Sequence, residues 1–355
     1  MSERMRIAFF GSGAFGLPTL RALMREHEVA LIVTQPDKPA GRGGALTATS
    51  IGEVAAKEFV GTPMIKPVDA NVAEVTNAIR DGHGQVDAWV VIAFGQKMGE
   101  ALLKDRFALN LHASLLPRWR GAAPIHAAIL AGDLETGNSV ITLAQRMDAG
   151  LVLATTKRMI EPTHTTATLH DLLAEDGAPA VLDVLAKHAA GTLVSAAQDE
   201  SRATRARKLS RDDAWIDFGD AKVCRARVHA LNAWPGVTVQ VVAKGVAKND
   251  GAGAAKPEEL KLWRVEEVDG DTADARSAKS GFVPGTLIDA ERGIVACAVG
   301  ALRLVEVQSP GKKAMAWDDL QRGRKFATGT MLIGKMASTM ASKVVSTEPA
   351  GGNTP

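Results

Sequence analysis

The 355-residue chain predicts an α/β fold in two parts: a doubly wound domain over residues 1–200 and a smaller β-barrel domain over residues 213–335. Three observations predict it. Short apolar strands alternate with helical stretches through the first part, the pattern of a parallel sheet covered by helices. Beyond residue 235, short β-type runs follow one another at close spacing with turn residues between them, the pattern of a small barrel. Between the two lies a basic linker, residues 201–212, with five Lys or Arg and no acid in 201–211.

Each element of the first domain has a local reason. Residues 6–10 (RIAFF) form an apolar strand, residues 17–25 carry helical spacing, and residues 28–34 (EVALIVT) form a second strand. Residues 88–93 (AWVVIA) are apolar throughout, as a strand buried on both faces requires. Residues 108–112 (ALNLH) form the next strand, and residues 124–131 a helix with Pro124 in its first turn. Two further strands are expected at residues 136–143 and 151–160. Residues 166–191 have the periodicity of a long amphipathic helix, capped by Thr165 or Thr166 and stopped at Gly191.

The second domain opens with a helix at residues 221–231. Pro235-Gly236 then begins the β runs 237–242, 260–265, 285–288, 294–299 and 301–307. Residues 248–256 (KNDGAGAAK) and 269–280 are expected to be mobile insertions, and residues 336–355 a disordered tail.

Composition excludes several classes. No stretch is apolar enough to span a membrane, and the start, MSERMRIAFFG, runs into a strand without a signal-peptide pattern. Cys224 and Cys297 lack metal-ligand spacing and read as buried, unpaired thiols of a reducing cytosol. The chain is expected to be cytoplasmic, with no membrane partner and no metal. The net charge of +2 is unevenly spread. Residues 1–200 carry 18 Lys/Arg against 22 Asp/Glu, whereas residues 201–330 carry 22 against 17. A basic second half suits a polyanion-binding module, although ordinary scatter of surface charge accounts for a difference of this size as well.

Gly11-Ser12-Gly13-Ala14-Phe15-Gly16 matches G-x-G-x-x-G between a strand and a helix, the context of a dinucleotide fingerprint. The acid such a site needs is misplaced, because the second strand ends Val33-Thr34-Gln35-Pro36 and Asp37 lies beyond the proline. A tight β-to-α turn that lets the helix pack closely is the favoured reading. An NAD(P)-dependent oxidoreductase is the more distant alternative, which titration with the nicotinamide cofactors tests.

The most informative stretch is residues 109–148. Asn110 and His112 lie two apart on a predicted strand, so both project from one face at its carboxyl end. In open α/β sheets ligands bind at that end. A rigid apolar elbow follows, Ser114-Leu115-Leu116-Pro117, and the stretch closes on Asp148. An amide donor, a titratable ring and a carboxylate are the parts of acyl transfer: an oxyanion partner, a proton shuttle and a group to hold the shuttle's charge. A lone His among apolar neighbours is more often structural, and His126, His164, His170, His188 and His229 are read that way. Asn110 in step with His112 reverses that reading at residue 112.

This segment resembles the folate-dependent formyltransferases, and the likeness extends over most of residues 5–330. It implies a Rossmann-like first domain, an OB-like barrel, and 10-formyltetrahydrofolate as co-substrate. It implies that Asn110, His112 and Asp148 are catalytic. Folate would lie along residues 91–95 and the elbow, contacting Phe94, Gly95, Ser114, Leu115, Leu116 and Pro117. Members of that family formylate methionyl-tRNA, glycinamide ribonucleotide or an amino-sugar nucleotide, or hydrolyse the donor. The loop at residues 36–44 (PDKPAGRGG) is similar to the one by which the methionyl-tRNA branch contacts the acceptor end. Residues 118–125 (RWRGAAPI) and 309–315 (SPGKKAM) resemble the same branch. Initiator methionyl-tRNA is then the expected partner, met by Lys38 and Arg42 in the loop and by Arg205, Arg207 and Lys208 in the linker, with a single chain as the working unit. A formyltransferase for a small amine would explain Asn110, His112 and Asp148 equally well, but not the basic linker, the loop or the second domain.

The chain also departs from that pattern. Ala113 stands where Gly or Pro is common before the elbow. Asp148 is followed by Ala149-Gly150-Leu151-Val152, without the second acid many relatives place there. Phe94 stands where an aromatic hydroxyl is common, and the chain contains no Tyr.

Overall fold

The computed structural model describes residues 4–40, 44–242, 258–268 and 281–334. Arg42 and the segments 248–256, 269–280 and 336–355 lie outside the described residues. The chain divides into two compact units. One comprises Met1–Pro124, Glu135–Met159 and His170–Ala206; the other comprises Ile125–Leu134, Ile160–Leu169 and Arg207–Pro355.

The strands up to Ala206 are β1 (Arg6–Gly11), β2 (Glu28–Val33), β3 (Lys38–Ala40), β4 (Ala45–Thr47), β5 (Met64–Ile65), β6 (Ala88–Ile92), β7 (Ala108–His112), β8 (Arg120–Gly121), β9 (Glu135–Thr142), β10 (Val152–Met159) and β11 (Arg205–Ala206). The helices of this stretch are α1 (Leu17–Glu26), α2 (Ser50–Glu58), α3 (Ala73–Asp81), α4 (Glu100–Leu103), α5 (Pro124–Leu130) and α6 (Thr166–Ala189). The main sheet has the order β10-β9-β7-β6-β1-β2-β5. Strands β7, β6, β1 and β2 are parallel neighbours, as predicted, and the two-residue β5, which the sequence pattern does not mark, continues them in parallel beside β2. β9, however, runs antiparallel to both β7 and β10, so the sheet is mixed. Parallel neighbours need a crossover of a dozen or more residues, and the β9–β10 loop, residues 143–151, is too short for one.

The glycine-rich turn after β1 is explained by packing. A Cβ on Gly11 would lie 2.6 Å from Phe9 Cε1 and 3.0 Å from the Ile92 carbonyl, and one on Gly16 would lie 3.1 Å from Phe9 Cζ. Behind this turn the Phe10 ring lies 4.9 Å from that of Trp89 and meets Phe94 edge-on at 5.6 Å. The Pro/Gly loop after β2 forms a short antiparallel hairpin, with Lys38 on β3 opposite Thr47 on β4. Helix α6 is capped by Thr165, whose Oγ1 accepts from Thr168 N at 3.3 Å, and Gly191 follows its end at φ 66°. Thr166 instead donates its hydroxyl to Ala230 O. β11 pairs in parallel with β8, Arg205 opposite Arg120.

From Arg207 onward the chain contributes α7 (Ala221–Ala230), β12 (Val237–Val242), β13 (Glu258–Glu267), β14 (Leu287–Asp289), β15 (Ile294–Ala296), β16 (Ala301–Gln308), β17 (Met315–Ala316), α8 (Trp317–Arg324) and β18 (Met331–Gly334). The sheet order is β14-β15-β16-β13-β12-β18, antiparallel throughout. Its two ends meet: Leu287 N donates to Thr330 O and Leu332 N to Gly285 O, both at 2.8 Å. The expected barrel is therefore closed by β18, a strand that the sequence pattern does not mark. Val228, Leu231, Leu262, Phe218 and Trp317 share its core, where Cys224 and Cys297 are both buried and free. Among the described residues, no helix is long and apolar enough to cross a membrane.

Candidate active site

The carboxyl ends of β1, β2, β6 and β7 bring residues 11–13, 34–35, 93–95 and 112–117 to one end of the sheet. Ser12 ties three of these ends together. Its hydroxyl donates to Phe94 O at 3.0 Å and accepts from Gln35 N at 3.1 Å. Ala93, at φ 48°, and Gly95, at φ 82°, are exposed there. The Phe94 ring is turned into the core, so that position presents backbone to the site and no side chain.

Asn110 and His112 occupy the same face of β7. Asn110 is partly buried, and its amide forms no hydrogen bond among the described residues. His112 is 7% exposed, and its Nε2 lies 2.9 Å from the Trp119 carbonyl. A carbonyl only accepts, so Nε2 carries a proton. Nδ1 lies 3.7 Å from Asp148 Oδ2, beyond hydrogen-bond distance. Asp148 Oδ2 instead accepts from Gly121 N at 2.8 Å. The short segment 119–121 thus grips the ring through one backbone group and the carboxylate through another.

Three of the non-glycine residues with left-handed backbone, Ala93, Trp119 (φ 63°) and Asp148 (φ 54°), belong to this site. Such conformations persist where the surroundings over-determine them, commonly at functional sites.

The elbow is bolted to the neighbouring strand. Ser114 is fully buried, and its hydroxyl donates to Arg118 O at 2.7 Å. Ser139 on β9 donates to Ser114 O at 2.8 Å and accepts from Leu116 N at 3.0 Å. Leu115, Leu116 and Pro117 remain partly exposed. Like residues 93–95, they follow the carboxyl end of a parallel strand of the main sheet.

Sequence reasoning missed three participants. Arg120, one of the basic residues after the elbow, is buried and binds Gln198 and Glu200. These hydrogen bonds hold the Glu200 carboxyl below its ordinary range. Gln198 in turn reaches the backbone around Asp148. Nothing local marks a contact spanning 78 residues of chain.

The residues expected to meet tRNA are exposed where described. Lys38, on β3, has its ammonium 3.5 Å from Gln35 Oε1. Arg205 and Lys208 have no carboxylate partner among the described residues, whereas Arg207 binds both oxygens of Asp213. Of the histidines read as structural, His188 stacks on Phe107 with ring centres 3.5 Å apart, and His229 is buried.

Comparison with known proteins adds independent findings. The family model described as formyl transferase matches residues 5–185, and that described as formyl transferase, C-terminal domain, matches residues 208–325. The chain is 39% identical over 334 residues to the methionyl-tRNA formyltransferase of Thiobacillus denitrificans, covering 92% of this chain and 99% of that protein. It is 37% identical over 340 residues to the methionyl-tRNA formyltransferase of Methylococcus capsulatus, covering 94% and 100%. Among solved structures, HypX from Aquifex aeolicus in complex with tetrahydrofolic acid aligns with a TM-score of 0.56 at 15% identity. That alignment covers 90% of this chain and 47% of HypX, so the chain spans about half the length of that protein. The sugar 3N-formyl transferase WlaRD, solved in the presence of dTDP and 5-N-formyl-THF, aligns with a TM-score of 0.58 at 11% identity, covering 88% and 100%. At these identities the structural likenesses show the fold.

Proposed function

The chain belongs to the methionyl-tRNA formyltransferases, enzymes that formylate methionyl-tRNA for initiation, and we propose that Asn110, His112 and Asp148 carry the transfer with 10-formyltetrahydrofolate as donor. The observation that carries this reading is the arrangement on β7: two polar side chains on one strand face, with a carboxylate 3.7 Å from the ring.

The groups at these strand ends suit a folate. Leu115, Leu116 and Pro117 offer apolar surface to a ring system, while Gly95 and the Phe94 main chain offer backbone groups. The donor supplies the formyl group. The acceptor is the methionine α-amine, whose type of group has a pKa of about 7.7–8.0, so a useful fraction is neutral near pH 7.5. When the amine attacks the formyl carbon, the formyl oxygen gains charge, and the uncommitted Asn110 amide donates to it. A new C–N bond forms and the bond to the folate nitrogen breaks. His112 Nδ1, the ring nitrogen not held by Trp119, takes the proton the amine loses and returns it to that departing nitrogen. Asp148 holds the charge that the ring carries between the two steps.

The acceptor reading extends to initiator tRNA, with Lys38, Arg42, Arg205, Arg207 and Lys208 as its contacts. A single chain is the working unit, since one chain supplies the whole triad. The enzyme acts in the cytoplasm, where charged tRNA is consumed. The test is formyl transfer from 10-formyltetrahydrofolate to initiator methionyl-tRNA, with elongator methionyl-tRNA, glycinamide ribonucleotide and an amino-sugar nucleotide as competing acceptors. Initiator tRNA should be used best. Preference for either small amine would overturn the acceptor.

A further inference from the structure

We propose that Gln198, clamped by Arg120, is a positioning residue for Asp148; the inference rests on the triad reading above. Arg120 donates from Nε and Nη2 to Gln198 Oε1, at 3.0 and 2.7 Å. From Nη1 and Nη2 it also donates to the two carboxylate oxygens of Glu200, at 3.0 and 2.8 Å. A guanidinium has no acceptor, so the oxygen end of the Gln198 amide must face it. The nitrogen end is then aimed the other way, and Gln198 Nε2 donates to both Asp148 O and Gly150 O at 2.8 Å.

The consequence is a fixed turn. Asp148 has left-handed backbone, φ 54°, a conformation that persists where its surroundings hold it. Gln198 bridges the carbonyls on either side of Ala149 and so holds that turn from outside. Residue 121, next after the clamp, supplies the N–H to Asp148 Oδ2 at 2.8 Å. Arg120 therefore controls the acid from two directions: through Gln198 on its backbone, and through the segment 120–121 on its carboxylate. A buried guanidinium is costly unless fully paired, and here its pairing orders the loop that carries the acid. None of these three side chains touches the ring or the reacting atoms.

The test uses Gln198→Glu and Gln198→Met in the full chain. Both remove the two donors to Asp148 and Gly150, and Gln198→Glu keeps an acceptor for Arg120. The expected result is a kcat loss of roughly ten- to a hundredfold, as for a slightly misplaced catalytic group, with KM for tRNA and for folate nearly unchanged. In an Asp148→Asn background the same changes should cost almost nothing further, which a merely structural role would not produce. Wild-type kcat in a folded Gln198→Glu or Gln198→Met protein overturns the proposal, and so does full multiplication with Asp148→Asn. An inactive wild-type protein, with every amine acceptor, would instead overturn the functional reading, and this proposal with it.

Discussion

Gly150 presses on Thr142: a Cβ at Gly150 would lie 1.7 Å from the Thr142 carbonyl oxygen. Two hydrogen bonds seal the same point, Thr142 N to Leu151 O and Leu151 N to Thr142 Oγ1, each 2.9 Å. The loop that bears Asp148 is thus folded onto the end of β9 and turned back toward His112. Gly150→Ala meets backbone, which cannot swing aside as a side chain can. It should destabilise the protein by about 1–3 kcal/mol, as overpacking does, and lower kcat at least tenfold by moving Asp148. Thermal melting and steady-state kinetics on the purified variant check both, and unchanged kcat would detach the loop from catalysis.

Asn110→Ala should reduce turnover by ~10²–10³-fold, the usual cost of one oxyanion donor. The Asn110 amide has no partner among the described residues, so its removal leaves no buried group unsatisfied. The melting temperature should therefore move little. Near-normal turnover in that folded variant would remove Asn110 from the mechanism.

His112→Ala and Asp148→Ala should each be severely impaired, and the double variant little worse than the worse single. Residues acting as one unit are not additive. The 3.7 Å approach of ring to carboxylate is their direct link. Fully multiplicative losses would show two independent roles.

Arg205→Gln with Lys208→Gln should weaken tRNA binding and flatten its dependence on salt, by roughly one unit of slope for each phosphate no longer neutralised. Arg207→Gln should flatten it less, because Asp213 already neutralises that guanidinium. Binding isotherms across a salt series decide between them. Equal effects from Arg205, Arg207 and Lys208 would mean that the Asp213 pair opens on binding.

Stability should fall on the acid side through His229. Burial pushes this ring down to about 4, with Arg225 and Arg264 acting in the same direction. Its folded value lies below the ordinary value of about 6.5, so the unfolded chain binds the extra proton first. The stabilisation is fully present above pH ~6.5 and is lost as pH falls toward ~4, by about 3 kcal/mol in all. Denaturant unfolding at pH 7.5 and 4.5 should show this loss in the wild type and a smaller one in His229→Gln. Equal losses would place the acid sensitivity elsewhere.

Sequence alone determined the elements whose causes are local. The strand at 108–112, the helix ended by Gly191, the glycine turn after the first strand and the β runs of the barrel follow from periodicity and turn chemistry. Asn110 and His112 were legible as a pair, because a period of two puts them on one face wherever the strand goes. The tertiary structure decided what depends on contacts far apart in the chain. It set β10 antiparallel to β9, because a loop of nine residues cannot cross a sheet. It turned the Phe94 ring inward, since Phe10 and Trp89 had filled that side of the sheet with apolar surface. It closed the barrel with β18. It also joined Arg120 to Gln198 and Gln198 to Asp148, a connection that no spacing encodes because each partner finds the other only after the sheet has formed.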